Sequence, residues 1–123
     1  MKTSAEIKAF LDWISRCEDE YERCKQVVNT ENKRLQDFLH FIEFEDMASE
    51  RSKECTKFRH HRHERREAKN RMEILEPLVL LFADKSYVKH RNHLTQLLGQ
   101  TRKLEKKQTE RKYKPRVERE ETE

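Results

Sequence analysis

Apolar side chains recur every three or four residues along the first third of the chain: Ile7, Phe10, Ile14, Cys17, Tyr21, Cys24, Val28, Glu31, Leu35, Phe38 and Ile42. Ten of these eleven positions are apolar or cysteine. A sustained alternation of three and four is the a/d seam of a coiled coil, and it predicts a helix from about Ser4 to about Phe44. The seam needs a partner, either a second helix of the same chain or another copy. Glu31 is its one charged member, and a polar seam residue often fixes register.

After Phe44, "FEDMASER" (44–51) reads as a turn in which Asp46 or Ser49 caps a second helix. That helix is expected to run to about Glu76, where Pro77 ends or kinks it. Its apolar positions gather at the two ends, Phe58 early and then Ala68, Met72 and Leu75. Its middle is polar and should face solvent, the first helix or a ligand. The run "LVLLFADKS" (78–86) fits a helical turn or a short strand, and periodicity does not separate the two. A third helix begins near Ser86 or Tyr87 and carries Val88, Leu94, Leu97, Leu98, Thr101 and Leu104 on one stripe, with Gly99 hinting at close packing. "RKYKPRV" (111–117) reads as extended because Pro115 forbids helix, and "EREETE" (118–123) as a disordered acidic tail. The expected fold is therefore mainly α: a long antiparallel, coiled-coil-like helical hairpin, a shorter third helix and a C-terminal extended segment, with a small β-sheet left open. Residues 1–117 form one oligomerising, ligand-binding domain in this reading.

Composition sharpens the picture. A chain of 123 residues, 42% of them charged and 33% hydrophobic, buries only a modest core, so an oligomer is expected. Charge is uneven. Residues 1–50 carry 7 basic and 12 acidic side chains, residues 51–71 carry 9 and 3, and residues 72–123 carry 12 and 9. An acidic arm thus precedes a basic segment. Such a segment is either a solvated helix face or an anion-binding surface. The odd cysteine count (Cys17, Cys24, Cys55), with no C-x-x-C pair, fits a reduced intracellular protein. The N-terminus has no apolar h-region, so no signal peptide is expected, and the longest apolar run, Leu78 to Ala83, is too short to span a bilayer.

"KFRHHRHERREAK" (57–69) is the segment richest in chemistry. His60, His61, His63 and Glu64 invite a zinc reading, but no H-E-x-x-H is present and the arginines around them oppose a dication, so no metal is expected. Cys17 and Cys24 lie on the apolar seam, no Gly-rich phosphate loop exists, and no enzyme or cofactor is expected. Arg59, Arg62, Arg65, Arg66 and Lys69, with a basic arm from Lys103 to Arg116, would suit nucleic acid, which the acidic first helix opposes. The remaining option is a small phosphorylated ligand held between copies: arginines for the phosphates, Phe82 or Tyr87 for a base, Asn92 for a base edge. Against it stands a plain coiled coil, with Phe82 in the core and Asn92 on the surface.

Four strings, "LQDFLHFIE" (35–43), "ERREAKNRMEILEPL" (64–78), "QLLGQTRKLEK" (96–106) and "YKPRV" (113–117), resemble in order and spacing the first-described type of Thoeris anti-defence sponge proteins of phages of Firmicutes. The resemblance covers nearly the whole chain. It implies a non-enzymatic sponge that acts in the cytoplasm of the infected bacterium. Such a sponge sequesters glycocyclic ADP-ribose, the messenger of Thoeris defence, and at a separate site cyclic oligonucleotides of CBASS defence. The partners it implies are that ligand and further copies, as dimers that assemble into hexamers, with no membrane and no nucleic acid. Carried onto this sequence, it assigns Phe82 to base stacking, Asn92 to the nucleotide amide contact and Arg111, with Lys112 beside it, to the C-terminal cation. Lys57 is the first choice for the basic residue of the second helix, with Arg59 and Arg62 as alternatives. The charge at Lys112 and the triple histidine depart from the family's pattern and bear on the oligonucleotide site.

Overall fold

A computed structural model of the protein describes residues 2–111 and Val117. The chain forms three helices, α1 (Thr3–Phe44), α2 (Ala48–Ala83) and α3 (Lys85–Glu110). No strand occurs among the described residues, so 78–86 resolves as helix and contributes to no sheet. Arg111 ends the described helical region. Lys112, most of the expected extended segment and the acidic tail lie outside the described residues.

α1 and α2 pack as an antiparallel hairpin. Their contacts run in opposite directions along the two helices: Trp13 with Phe82, Glu20 with Arg71, Asn32 with Arg65, Phe38 with Phe58. The α1 seam is the expected one at its centre, where Ile14, Cys17, Cys24, Val28 and Glu31 are buried. Cys24, Val28 and Ala68 form a packed cluster, flanked by Val27 and Met72. Cysteine here acts as a small hydrophobe.

The α2 seam is longer than its apolar residues suggest. Phe58, His61, Arg65, Ala68, Met72, Leu75, Val79 and Phe82 are all buried or half-buried, and they alternate by three and four without a break. The seam therefore passes through the basic stretch, with His61 and Arg65 taking positions where a coiled coil would place apolar residues. Glu31 and Asn32 of α1 meet them.

Pro77 does not end α2; it lies inside the helix, which continues to Ala83. A proline inside a helix removes one hydrogen bond and crowds the preceding turn, at about 3 kcal/mol. Leu75 and Phe82, 1% and 8% exposed, flank it on the seam. Burying two such side chains contributes about 1.5–3 kcal/mol each, enough to carry the helix past the proline. The hairpin turn also differs from expectation. Met47, not Asp46 or Ser49, stands at the N-cap of α2 and makes no side-chain cap. Its own N–H donates instead to Glu45 Oε1 at 3.1 Å.

α3 begins at once after Asp84, whose carboxylate accepts from Ser86 N–H at 3.0 Å and Ser86 Oγ at 2.7 Å. It runs back against the first third of α1. Arg91 donates to Ser15 Oγ at 3.1 Å and pairs with Glu18 at 2.8 Å, while Glu105 Oε2 accepts from Ser4 N–H at 3.4 Å. α1 has no side-chain cap of its own, so a carboxylate from α3 meets one of its orphan N–H groups. Gly99 marks no close approach among the described residues: a Cβ there would meet none of their atoms within 4 Å.

Candidate functional site

The loop end of the hairpin gathers aromatic and charged groups. Phe38 of α1 and Phe58 of α2 stack with centroids 4.1 Å apart and planes within 5°. They adjoin a cleft of about 290 Å³ that Arg34, Glu54, Lys57 and His61 also line. The Arg62 guanidinium carbon lies 5.8 Å from the Phe58 centroid, within range of a cation–π attraction. Its Nη1 is buried and has no hydrogen-bond partner among the described residues. One turn further, Arg62, His63, Arg65 and Arg66 line an open cleft of about 400 Å³ in which Glu67 is the acidic member. Arg65 is partly engaged, since its Nε donates to Asn32 Oδ1 at 2.9 Å.

Within the seam beneath these clefts, Glu31 is 4% exposed. Arg34 Nε donates to both of its oxygens, at 2.9 and 3.2 Å. His61 Nδ1 lies 3.5 Å from Glu31 Oε1 and 3.6 Å from Glu64 Oε2. A buried carboxylate without cations around it would be strongly disfavoured. The basic stretch of α2 is thus partly the counter-charge of α1.

The sequence-assigned residues fall on three stretches: the loop-end half of α2, its far end, and α3 with its C-cap. Lys57, Arg59 and Arg62 share the loop-end half of α2. Lys57 and Arg59 are exposed, and Lys57 pairs with Glu54 at 3.5 Å. Phe82 lies 25 residues along the same helix, about 37 Å from Lys57 at 1.5 Å per residue. It is buried edge-on against Trp13, with centroids 5.6 Å apart, and borders a small apolar cavity of about 50 Å³ with Phe10, Tyr87 and Leu94. Asn92 is exposed on α3. Arg111 is exposed at the α3 C-terminus, beside a shallow cationic groove of Lys103, Lys106 and Lys107. One chain does not bring these three groups together.

Phe38, Phe58 and Arg34 were not singled out from sequence as site residues. Phe38 was legible as a seam position and Phe58 as an early apolar residue of helix 2. Only the hairpin register stacks the two rings and sets Arg34 beside them.

No family model, curated protein or solved structure matches this chain.

Proposed function

We propose that the protein is a non-enzymatic sponge that captures a cyclic nucleotide, the role implied by its resemblance to Thoeris anti-defence proteins. The observation that carries the reading is the Arg62 guanidinium. Its Nη1 is buried without a partner, next to a stacked aromatic pair and within a turn of three further cationic or imidazole side chains. A buried donor left unsatisfied costs about 1–3 kcal/mol, and a phosphate oxygen would relieve that cost with a charge-assisted bond. The aromatic cleft alongside, with Lys57 on its rim, offers apolar surface to a base or ribose.

Sequestration requires tight enclosure and no bond cleavage. Arg62 sits about 30 Å along α2 from Phe82, so a ligand enclosed by both would lie between copies, one giving the Arg62 end and another the Phe82 and Asn92 end. The ligand class is a cyclic dinucleotide-like pyrophosphate of the glycocyclic ADP-ribose type, with CBASS cyclic oligonucleotides as a second class. The place of action is the cytoplasm of the infected host, where such messengers are made.

A second reading is favoured by the open cleft of Arg62, His63, Arg65 and Arg66: a basic coiled-coil protein that binds nucleic acid backbones. The two differ in salt dependence. Thermal melting of the full chain with a panel of cyclic nucleotides should show a saturable rise with at least one of them, little changed between 50 and 200 mM salt. Random duplex DNA should give none. If instead DNA binds and weakens roughly a hundredfold across that salt range, as about four phosphate contacts would require, the nucleic-acid reading replaces the sponge.

A further inference from the structure

The polar layer of the seam holds three metal-ligating groups that the proposed function does not use. Glu31 comes from α1; His61 and Glu64, three residues apart and so on one face, come from α2. Their ligand atoms all lie within 4.8 Å of one another. We propose that Glu31 Oε1, His61 Nδ1 and Glu64 Oε2 form a binding site for a zinc-type divalent cation that clips α1 to α2.

The distances carry the inference first. His61 Nδ1 is 3.5 Å from one carboxylate oxygen and 3.6 Å from the other. Both are too long for an N–H···O hydrogen bond, which clusters near 2.9–3.0 Å. They match the edge of a tetrahedron, about 3.3–3.6 Å, when three ligands sit about 2.0–2.2 Å from one ion. His61 Nδ1 is also buried without a hydrogen-bond partner. Its ring faces two carboxylates and bonds to neither.

The surrounding groups are arranged as a supporting shell would be. Arg34 Nε lies 2.9 Å from Glu31 Oε2, and His60 Nε2 lies 2.9 Å from Glu64 Oε1. Glu64 thus has one oxygen oriented by a donor and the other turned toward His61, whereas Glu31 Oε1 faces His61 and also accepts from Arg34 Nε at 3.2 Å. The arginines that argue from sequence against a dication are turned elsewhere. Arg65 donates to Asn32, and Arg62 lies by the Phe58 ring. Of the guanidinium groups only Arg34 touches the cluster, and two carboxylates outweigh it. Three protein ligands leave a fourth position for water, and histidine beside carboxylate favours zinc or cobalt over magnesium or calcium. The sequence reading expected no metal because H-E-x-x-H is absent and arginines flank the cluster; Glu31, which meets His61 across the seam, entered no part of that reading.

The test uses the full chain, freed of metal with a chelator and carrying no histidine tag. Calorimetry with zinc chloride should give one ion per chain, and zinc should raise the melting temperature. Cobalt should give the visible absorption bands of a four-coordinate ion. Glu31→Gln and His61→Ala should each weaken zinc at least tenfold, and His63→Ala and His93→Ala should not. Glu64→Gln covers the case in which a seam variant misfolds, because this side chain is 46% exposed and its loss should abolish the cobalt bands in a folded protein. Absence of zinc binding at micromolar concentration overturns the site. So does loss as large in His63→Ala as in His61→Ala, which would mark adventitious surface histidines. The result is independent of nucleotide binding, which the Arg62 end would retain.

Discussion

Leu75 is the most deeply buried large side chain, 1% exposed, and sits on the α2 seam beside Pro77. Leu75→Ala removes its packing and leaves a cavity, at about 2–5 kcal/mol. Chemical denaturation monitored by helical circular dichroism should show that loss as a lower midpoint; a neutral result would mean that α2 does not pack as described. Gly99 makes the opposite prediction. A Cβ there meets nothing among the described residues, so Gly99→Ala should stabilise by about 0.5–1 kcal/mol. A destabilised Gly99→Ala would show that a second copy lies against that face of α3. The sequence hint of close packing rested on the cost of a helical glycine, and no atom of the chain accounts for that cost.

The three helices differ in how far their residues announced them. α1 was legible because its seam is apolar from Ile14 to Val28, and the predicted bounds agree with Thr3–Phe44 to one residue. α2 was legible only in part. His61 and Arg65 hold seam positions, but charge concealed their periodicity, and Pro77 signalled an end that packing overrides. α3 depends on its first residues, where Asp84 caps the helix. The Ser86 hydroxyl, and then its N–H, hold the Asp84 carboxyl below the usual carboxylate range. Glu20 is lowered as well, chiefly by the hydrogen bond from Arg71, whose own pKa is raised. A carboxyl lowered by folding stabilises the fold above its unfolded pKa, and that contribution is lost as pH falls through the lowered value. Stability should therefore hold from neutral pH to about pH 4 and decline below it. Asp84→Asn should flatten its share of that decline while keeping the cap. Asp84→Ala should speed amide exchange at Ser86, whose N–H donates to the Asp84 carboxylate. Unchanged exchange would remove Asp84 as the cap.

Across the whole molecule, the core is thin and the apolar surface is large. Among the described residues, eight apolar side chains are buried. Phe10, Leu80, Leu81, Tyr87 and Val88 are exposed where α2 gives way to α3, and Leu39, Phe44 and Met47 are exposed at the hairpin loop. None of the described helices is long and apolar enough to cross a membrane. Exposed apolar side chains of this size would suit contact with another protein, and a further copy is the partner the proposed function needs. Native mass measurement should find a dimer or a higher assembly, and Leu80→Glu with Leu81→Glu should weaken it; a single copy at every concentration would contradict this. The divided site has the same origin. Sequence reading assigned Lys57, Phe82, Asn92 and Arg111 to a pocket between copies, and about 37 Å separates the first two along α2 of one chain. The most direct test of the central claim is calorimetric titration of the wild type and Arg62→Ala with glycocyclic ADP-ribose, followed by mass analysis of the recovered ligand. The account predicts saturable binding, a loss of at least tenfold in Arg62→Ala and a ligand of unchanged mass. Undiminished binding by Arg62→Ala, no binding by the wild type, or a chemically altered ligand would contradict it.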